Sequence, residues 1–179
     1  MSNSKDYWKN EAMEWIKSIG LAVIIAIIIK TFIFNTTYVL GYSMYPTLDN
    51  KDRLFTNKII YRFDEPEKGD IVVIEAPDDP EKDYIKRVIA VEGDNVKIEN
   101  GNVYVNNEKL DEKYIENNLY TYNELEIKVP KNEIFVLGDN RRENASKDSR
   151  VFGTVSIDSV KGKAFFRYYP FGDNFGFLD

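Results

Sequence analysis

The chain has 179 residues, 43% of them hydrophobic and 14% aromatic, which is enough for one domain with a core and a small appendage and excludes a wholly disordered chain. It contains no cysteine and no histidine, so disulfides, thiolate nucleophiles, imidazole-based triads and histidine or thiolate metal sites are excluded; a hydrolase of this composition must take lysine, a carboxylate or an all-oxygen metal site as its base. With 24 basic and 30 acidic residues the net charge is -6, the wrong sign for a general nucleic-acid footprint.

The mean hydropathy of -0.43 conceals an apolar stretch near the start. Residues 18 to 29, SIGLAVIIAIII, carry no charge, and after Lys30 the apolar character resumes in Thr31-Phe32-Ile33-Phe34. Twelve uncharged residues are too few to cross a bilayer, but the segment from Ser18 to Leu40, with one lysine tolerated, is long enough. Trp8 and Trp15 precede it, where interfacial tryptophans often sit. A cleaved leader would have a basic start and a small-x-small site; here Lys5, Lys9 and Lys17 are balanced by Asp6, Glu11 and Glu14, and no Ala-x-Ala follows. The expected organisation is a segment 1–17, a transmembrane anchor 18–40 in contact with the lipid bilayer, and a β domain 41–179. Three basic residues flank the span on each side (Lys5, Lys9, Lys17; Lys51, Arg53, Lys58), so positive charge does not orient it.

Beyond residue 40 the pattern turns to short strands. Asp70-Ile71-Val72-Val73-Ile74 is β-branched, and Tyr84 to Val91 reads as a strand ended by Gly93-Asp94. Val96-Lys97-Ile98 and Val103-Tyr104-Val105 flank Asn100-Gly101, a strong hairpin signal because both residues tolerate positive φ. Glu133 to Leu137 and Val160 to Pro170 complete the set. Residues 106–130 are polar and tyrosine-bearing and read as a small inserted lobe. The expected fold is mostly β, preceded by one N-terminal helix.

Three segments carry chemistry. In Gly41-Tyr42-Ser43-Met44-Tyr45-Pro46-Thr47-Leu48, Gly41 permits an unusual backbone and Pro46 stiffens the exit, so Ser43 suits an exposed nucleophile as well as a plain turn. In Tyr84-Ile85-Lys86-Arg87-Val88-Ile89-Ala90-Val91, two adjacent charges interrupt a strand that is apolar on both faces. A lysine there loses hydration, its pKa falls, and the neutral amine is a competent general base for a serine; the alternative is an edge strand whose lysine reaches solvent. The third segment, Gly138-Asp139-Asn140-Arg141 through Ser146-Lys147-Asp148-Ser149-Arg150, is a dense polar loop after an apolar strand. It reads either as a solvated loop or as support for the site, with Asp148 and Arg150 as an ion pair.

Taken in order, these segments resemble the type I signal peptidases. That family carries a Ser-Met-x-Pro-Thr motif after a membrane helix, a Tyr-Ile-Lys-Arg strand and a Gly-Asp-Asn-Arg…Ser-x-Asp-Ser-Arg loop. This sequence has Ser43-Met44-Tyr45-Pro46-Thr47, Tyr84-Ile85-Lys86-Arg87 and the loop from Gly138 to Arg150. The resemblance implies a signal-peptidase/LexA-like β domain, with Ser43 as nucleophile, Lys86 as general base and the Ser43 backbone N–H as oxyanion donor. It also implies Ser146 holding the lysine amine, Asp148 and Arg150 bracing the loop, and Arg87 paired with a carboxylate. Gly41, Met44, Pro46, Tyr84, Gly138, Asp139 and Asn140 would support the site and its substrate. The loop is two residues longer than usual, so Ser146 takes its role only when aligned from the Asp-Ser-Arg end, and Gly41 stands where some members supply an oxyanion-hole serine.

The resemblance further implies secretory preproteins as substrates, with small residues at the first and third positions before the cut. It implies no cofactor and no metal, and a catalytic domain outside the cytoplasmic membrane, as in the single-anchor Gram-positive type. A self-cleaving Ser-Lys repressor and a non-catalytic membrane-anchored binding module are the alternative classes. The first should carry a helix-turn-helix in place of SIGLAVIIAIII, and the second should tolerate loss of Ser43.

Overall fold

The computed structural model of the protein describes residues 3–28, 34–116, 119–172 and 174–178. Helix α1 (Asn3–Ile28) is followed by twelve strands, of which eight form the main sheet. These are β1 (Phe34–Tyr38), β2 (Arg53–Asn57), β3 (Ile71–Ala76), β4 (Asp79–Ala90), β9 (Glu133–Leu137), β10 (Val155–Ser156), β11 (Val160–Tyr169) and β12 (Gly176–Phe177). The spatial order is β1-β2-β11-β3-β4-β9-β10, with β12 also on β11. A second sheet, in the order β7-β6-β5-β8, contains β5 (Asn95–Glu99), β6 (Asn102–Val105), β7 (Glu108–Lys109) and β8 (Leu125–Lys128). A short helix α2 (Ser149–Phe152) closes the loop after β9.

Burial follows position in the sheet. Strand β3 lies between β11 and β4, and Ile71, Val72, Val73 and Ile74 are all buried, as a strand covered on both faces requires. Strand β2 alternates instead: Leu54 and Thr56 face inward, Arg53 and Phe55 outward. The β5–β6 hairpin turns at Asn100 (φ 51°) and Gly101 (φ 77°), as its sequence demands. Val96, Ile98, Val103 and Val105 of this hairpin pack on Ile89, Ala90, Phe135 and Leu137 of β4 and β9, so the second sheet shares a core with the first. Among its described residues the segment 106–130 contains β7 and β8, and the small sheet begins at Asn95. A second core gathers Val39, Met44, Leu48, Leu54, Ile71, Val73, Ile85 and Ala164 beneath the Ser43 turn.

The expected span 18–40 contains the second half of a helix and one strand. Helix α1 begins at Asn3, and residues 34–38 form β1, paired antiparallel with β2 from Phe34↔Asn57 to Tyr38↔Arg53. Thr36 and Thr37 are β-branched and suit a strand, and the ladder with β2 pairs the backbone of residues 34–38. Thr37 Oγ1 adds a 2.8 Å hydrogen bond to Thr56 Oγ1. Residues 29–33 of the expected span lie outside the described residues. Among the described residues no helix is long and apolar enough to cross a membrane.

Candidate active site

Ser43 sits in the turn between β1 and β2, and the turn is fastened by its own neighbours. Met44 and Leu48 are buried in the core below it. Gly41 has φ +95°, a conformation that side-chain-bearing residues rarely adopt, and its N–H donates to Asn50 Oδ1 at 3.1 Å. Ser43 therefore emerges at the surface from a rigid base, and its backbone N–H donates no hydrogen bond among the described residues.

Lys86 reaches the same point from β4. Its Nζ lies 3.0 Å from Ser43 Oγ and donates to the Ile85 carbonyl oxygen at 2.9 Å. The side chain is 2% exposed. Burial pulls the amine down to about 8, although Asp148 and Asp139 oppose the shift; Arg150 assists it. Near neutral pH a usable fraction of the amine is uncharged, which the ordinary lysine value of about 10.4 would not allow.

The loop from Gly138 to Arg150 packs directly against this pair. The Asn140 N–H donates to the Ser43 carbonyl at 3.0 Å, and Asn140 Nδ2 donates to the Tyr42 carbonyl at 3.0 Å. A Cβ on Gly138 would lie 2.3 Å from the Ser43 carbonyl oxygen and 2.3 Å from Ser146 Oγ, so only glycine permits this approach. Asp148, fully buried, takes the Gly138 N–H at 3.0 Å and a two-pronged pair from Arg150 at 2.8 and 2.7 Å. Burial works against the charge on Asp148, but Arg150 and the Gly138 amide hold its carboxyl below the usual carboxylate range. The expected Asp148–Arg150 pair is thus present and closes the loop on itself.

Arg87 meets the carboxylate expected for it. Its Nε and Nη2 donate to Asp139 at 3.0 and 2.9 Å, its Nη1 donates to the Gly69 carbonyl, and both side chains are almost wholly buried. Ser146 is buried beside Gly138 and the Asp148 carboxylate, and its hydroxyl makes no hydrogen bond to Lys86 among the described residues; Lys86 donates to the Ile85 carbonyl.

Sequence reasoning passed over several supports. Thr47 Oγ1 donates to Asp139 at 2.5 Å, tying the serine turn to the buried pair. The Tyr114 ring lies 4.0 Å from the Arg87 guanidinium carbon, and Arg141 is buried against Glu112, Thr121 and the Gly138 carbonyl. Thr47 stands inside the serine motif and could have been read from it. Glu112 and Tyr114 come from a polar stretch with no periodicity, and only the fold brings them here.

A groove of about 480 Å³ opens on the pair, with residues 35–40 along one wall, 81–86 along the other, and Ser43 and Met44 completing the lining. Strand β4 pairs with β9 only from Arg87 onward, and β1 is the last strand of its sheet. Both walls therefore present strand edges with spare backbone donors and acceptors. A larger cavity of about 1170 Å³ beside Tyr61 and Phe63 contains neither Ser43 nor Lys86. Among the described residues no cluster of acidic side chains could hold a metal.

A hydroxyl beside a buried amine, on the rim of a groove with strand edges for walls, is suited to attack on the backbone of an extended peptide. The family model described as "Signal peptidase, peptidase S26" matches residues 12–169, and the chain belongs to that family. A "Signal peptidase IB" of Staphylococcus aureus is 40% identical over 182 aligned positions, covering 92% of this chain and 93% of its own. A "Signal peptidase I S" of Bacillus subtilis is 39% identical over 176, with the same coverage. A crystal structure of a signal peptidase I from Enterococcus faecalis, 29% identical, aligns with a TM-score of 0.49 over 56% of this chain and 97% of its own.

Proposed function

We propose that the protein is a membrane-bound serine endopeptidase that removes N-terminal signal peptides from secretory preproteins, with Ser43 as nucleophile and Lys86 as general base. The observation that carries this reading is the 3.0 Å approach of Lys86 Nζ to Ser43 Oγ by an amine that burial keeps near pH 8. The neutral amine takes the hydroxyl proton as Oγ attacks the scissile carbonyl, and gives it to the leaving amine as the tetrahedral intermediate collapses. Water then attacks the acyl-enzyme by the same route. The uncommitted Ser43 N–H suits the developing oxyanion.

Asn140 and Gly138 hold the Ser43 backbone, Asp148 and Arg150 hold the loop that carries them, and the Arg87–Asp139 pair ties β4 to both. A substrate strand in the groove presents its first and third residues before the cut to the same wall, because side chains alternate along a strand. Met44 and Ile85 line that groove together with Tyr84, which supports a preference for small side chains at those two positions.

On α1 the side chains of Ile19, Leu21, Val23, Ile24 and Ile27 are each at least half exposed. A run of exposed apolar side chains over the second half of a helix is matched to lipid. We place residues 1–17 in the cytoplasm, the apolar stretch that begins at Ser18 in the membrane, and residues 41–179 as the catalytic domain on the extracytoplasmic side.

The test is cleavage of a preprotein by the intact chain, read by N-terminal sequencing of the product. Ser43→Ala and Lys86→Met should each abolish cleavage while the β fold persists. Retention of cleavage by either variant refutes the dyad.

A further inference from the structure

Thr47, in the turn that carries Ser43, is held at both of its oxygens. Its hydroxyl donates to Asp139, the partner of Arg87. Its carbonyl oxygen accepts from Arg167 Nη1 at 2.9 Å. Arg167 comes from β11, where it stands opposite Leu54 of β2. The same Nη1 donates to Asp52 Oδ2 at 2.9 Å, and Nε donates to the Asn174 carbonyl. Asp52 Oδ2 also accepts the Asp49 N–H at 3.0 Å. Arg167 and Asp52 are both buried.

Net stability is a poor reason for a charged pair in this place. Leu54, Met44 and Leu48 belong to the apolar core under the turn. An ion pair taken out of water there regains little more than its desolvation cost, and apolar side chains of similar volume often hold a core as well or better. Apolar side chains cannot, however, grip a carbonyl oxygen from a fixed direction, as a guanidinium does. The turn transmits that grip. Val39 N–H donates to the Asp52 carbonyl at 2.9 Å and closes its base, and Leu48 N–H donates to the Met44 carbonyl at 2.9 Å. A shift of Thr47 therefore carries Met44 and Ser43 with it.

We propose that Arg167 and Asp52 are positioning residues for the nucleophile: they fix the Thr47 carbonyl and, through the turn, set Ser43 Oγ at its distance from Lys86 Nζ. The inference rests on the reading of Ser43 and Lys86 as the catalytic pair. Thr47 is thereby gripped by two buried arginine–aspartate pairs, Arg87–Asp139 at its hydroxyl and Arg167–Asp52 at its carbonyl. Neither Arg167 nor Asp52 lines the groove beside Ser43, and neither is among the groups that set the Lys86 amine. Their loss should therefore slow the chemical step and leave both peptide binding and the titration of the base in place.

The experiment uses the full chain in detergent with a soluble peptide substrate. Arg167→Met combined with Asp52→Asn removes the grip without orphaning a charge, and the asparagine can still accept from the Asp49 N–H. This double variant should melt within about 4 °C of the wild type, the shift that roughly 1 kcal/mol brings in a chain of this size. Its kcat should fall on the order of tenfold to a hundredfold, since a displacement of about 1 Å costs roughly a hundredfold. KM should be unchanged, and the acidic limb of the pH profile should stay near 8. Arg167→Met alone leaves Asp52 buried and uncompensated, and should melt below the double variant.

A folded double variant with wild-type kcat overturns the inference, as does a loss confined to KM or a displaced acidic limb. If the double variant is unfolded at the assay temperature, Arg167→Lys decides. It keeps a charge beside Asp52, but one ammonium does not replace the fork that reaches the Thr47 and Asn174 carbonyls together. It should fold and lose kcat at constant KM; wild-type kcat or failure to fold overturns the inference. Cleavage retained by Ser43→Ala refutes the dyad, and this inference with it. An inactive Ser43→Ala beside an unimpaired double variant removes this inference alone.

Discussion

At the scale of single residues, the role proposed for Lys86 predicts the pH behaviour of activity, and its burial that of stability. Cleavage should rise with pH along an acidic limb centred near 8 and then level off. Each pH unit below that limb costs about tenfold in neutral amine. Lys86→Arg should be inactive at every pH, since a guanidinium does not deprotonate. The stability effect follows from the same burial. The folded state releases this proton at about 8, whereas an unfolded lysine holds it to about 10.4. The cost of burying the charge is therefore complete below pH 8 and disappears as pH rises through that window. It amounts to roughly 3 kcal/mol, so Lys86→Met should melt higher than the wild type at pH 7 and lose the advantage near pH 10. Melting curves at the two pH values check it. Gly138→Ala tests the neighbouring contact. A methyl group 2.3 Å from the Ser43 carbonyl oxygen must displace the nucleophile, and a displacement of about 1 Å costs on the order of a hundredfold in turnover. The expected signature is a fall in kcat far larger than any change in KM.

At the scale of elements, the closed loop after β9 behaves as a unit. Removing one partner from a buried ion pair leaves the other charge uncompensated and costs about 3–5 kcal/mol. Asp148→Ala and Arg150→Ala should each lower the melting temperature and the turnover. The double variant should be less destabilised than the two losses added together, because it leaves no orphaned charge. A double-mutant cycle by urea unfolding gives the coupling, and strict additivity would show that the loop does not depend on the pair. Strands β3, β9 and the β5–β6 hairpin could be read directly from the chain, since β-branched runs and Asn-Gly are local signals. Strand β1 could not. Its residues follow an apolar helix so closely that Phe34 and Tyr38 read as the end of a membrane span, and only pairing with β2 shows them to be a strand. The site divides in the same way. Ser43, Lys86, Asp148 and Arg150 lie in motifs, and their geometry follows from short segments. The partnership of Thr47 with Asp139 and the packing of Tyr114 on Arg87 join residues 92 and 27 positions apart, and no local pattern announces them. Ser146 is legible only in part: a loop two residues longer gives it two alignments, and the fold sets its hydroxyl against Gly138.

At the scale of the whole molecule, the groove and the helix together define how a substrate is presented. A peptide lying between β1 and β4 as an added strand depends on its backbone amides as well as its side chains. N-methylation of one pairing amide near the cut should lower cleavage roughly two- to tenfold, the worth of one net hydrogen bond. A tolerant series of N-methylated peptides would show that the substrate does not pair with the strand edges. The cysteine-free chain also allows topology to be read directly. A cysteine replacing Ser4 should react with a membrane-impermeant maleimide only after the cells are opened, whereas one replacing Tyr120 should react in intact protoplasts.

The order of strands carries a consequence for how the protein comes into being. Strand β11, near the end of the chain, lies between β2 and β3 and pairs with both. Until residue 169 has been synthesised, β2 and β3 each have a bare edge, and the second core lacks Ala164. The early strands cannot settle into a finished sheet before β11 is made, because the piece that joins them comes after both and must enter the middle. Ser43 and Lys86 are then brought to their final separation only as β11 docks. A nascent chain of this protein lacks the Ser43–Lys86 approach until β11 has been made.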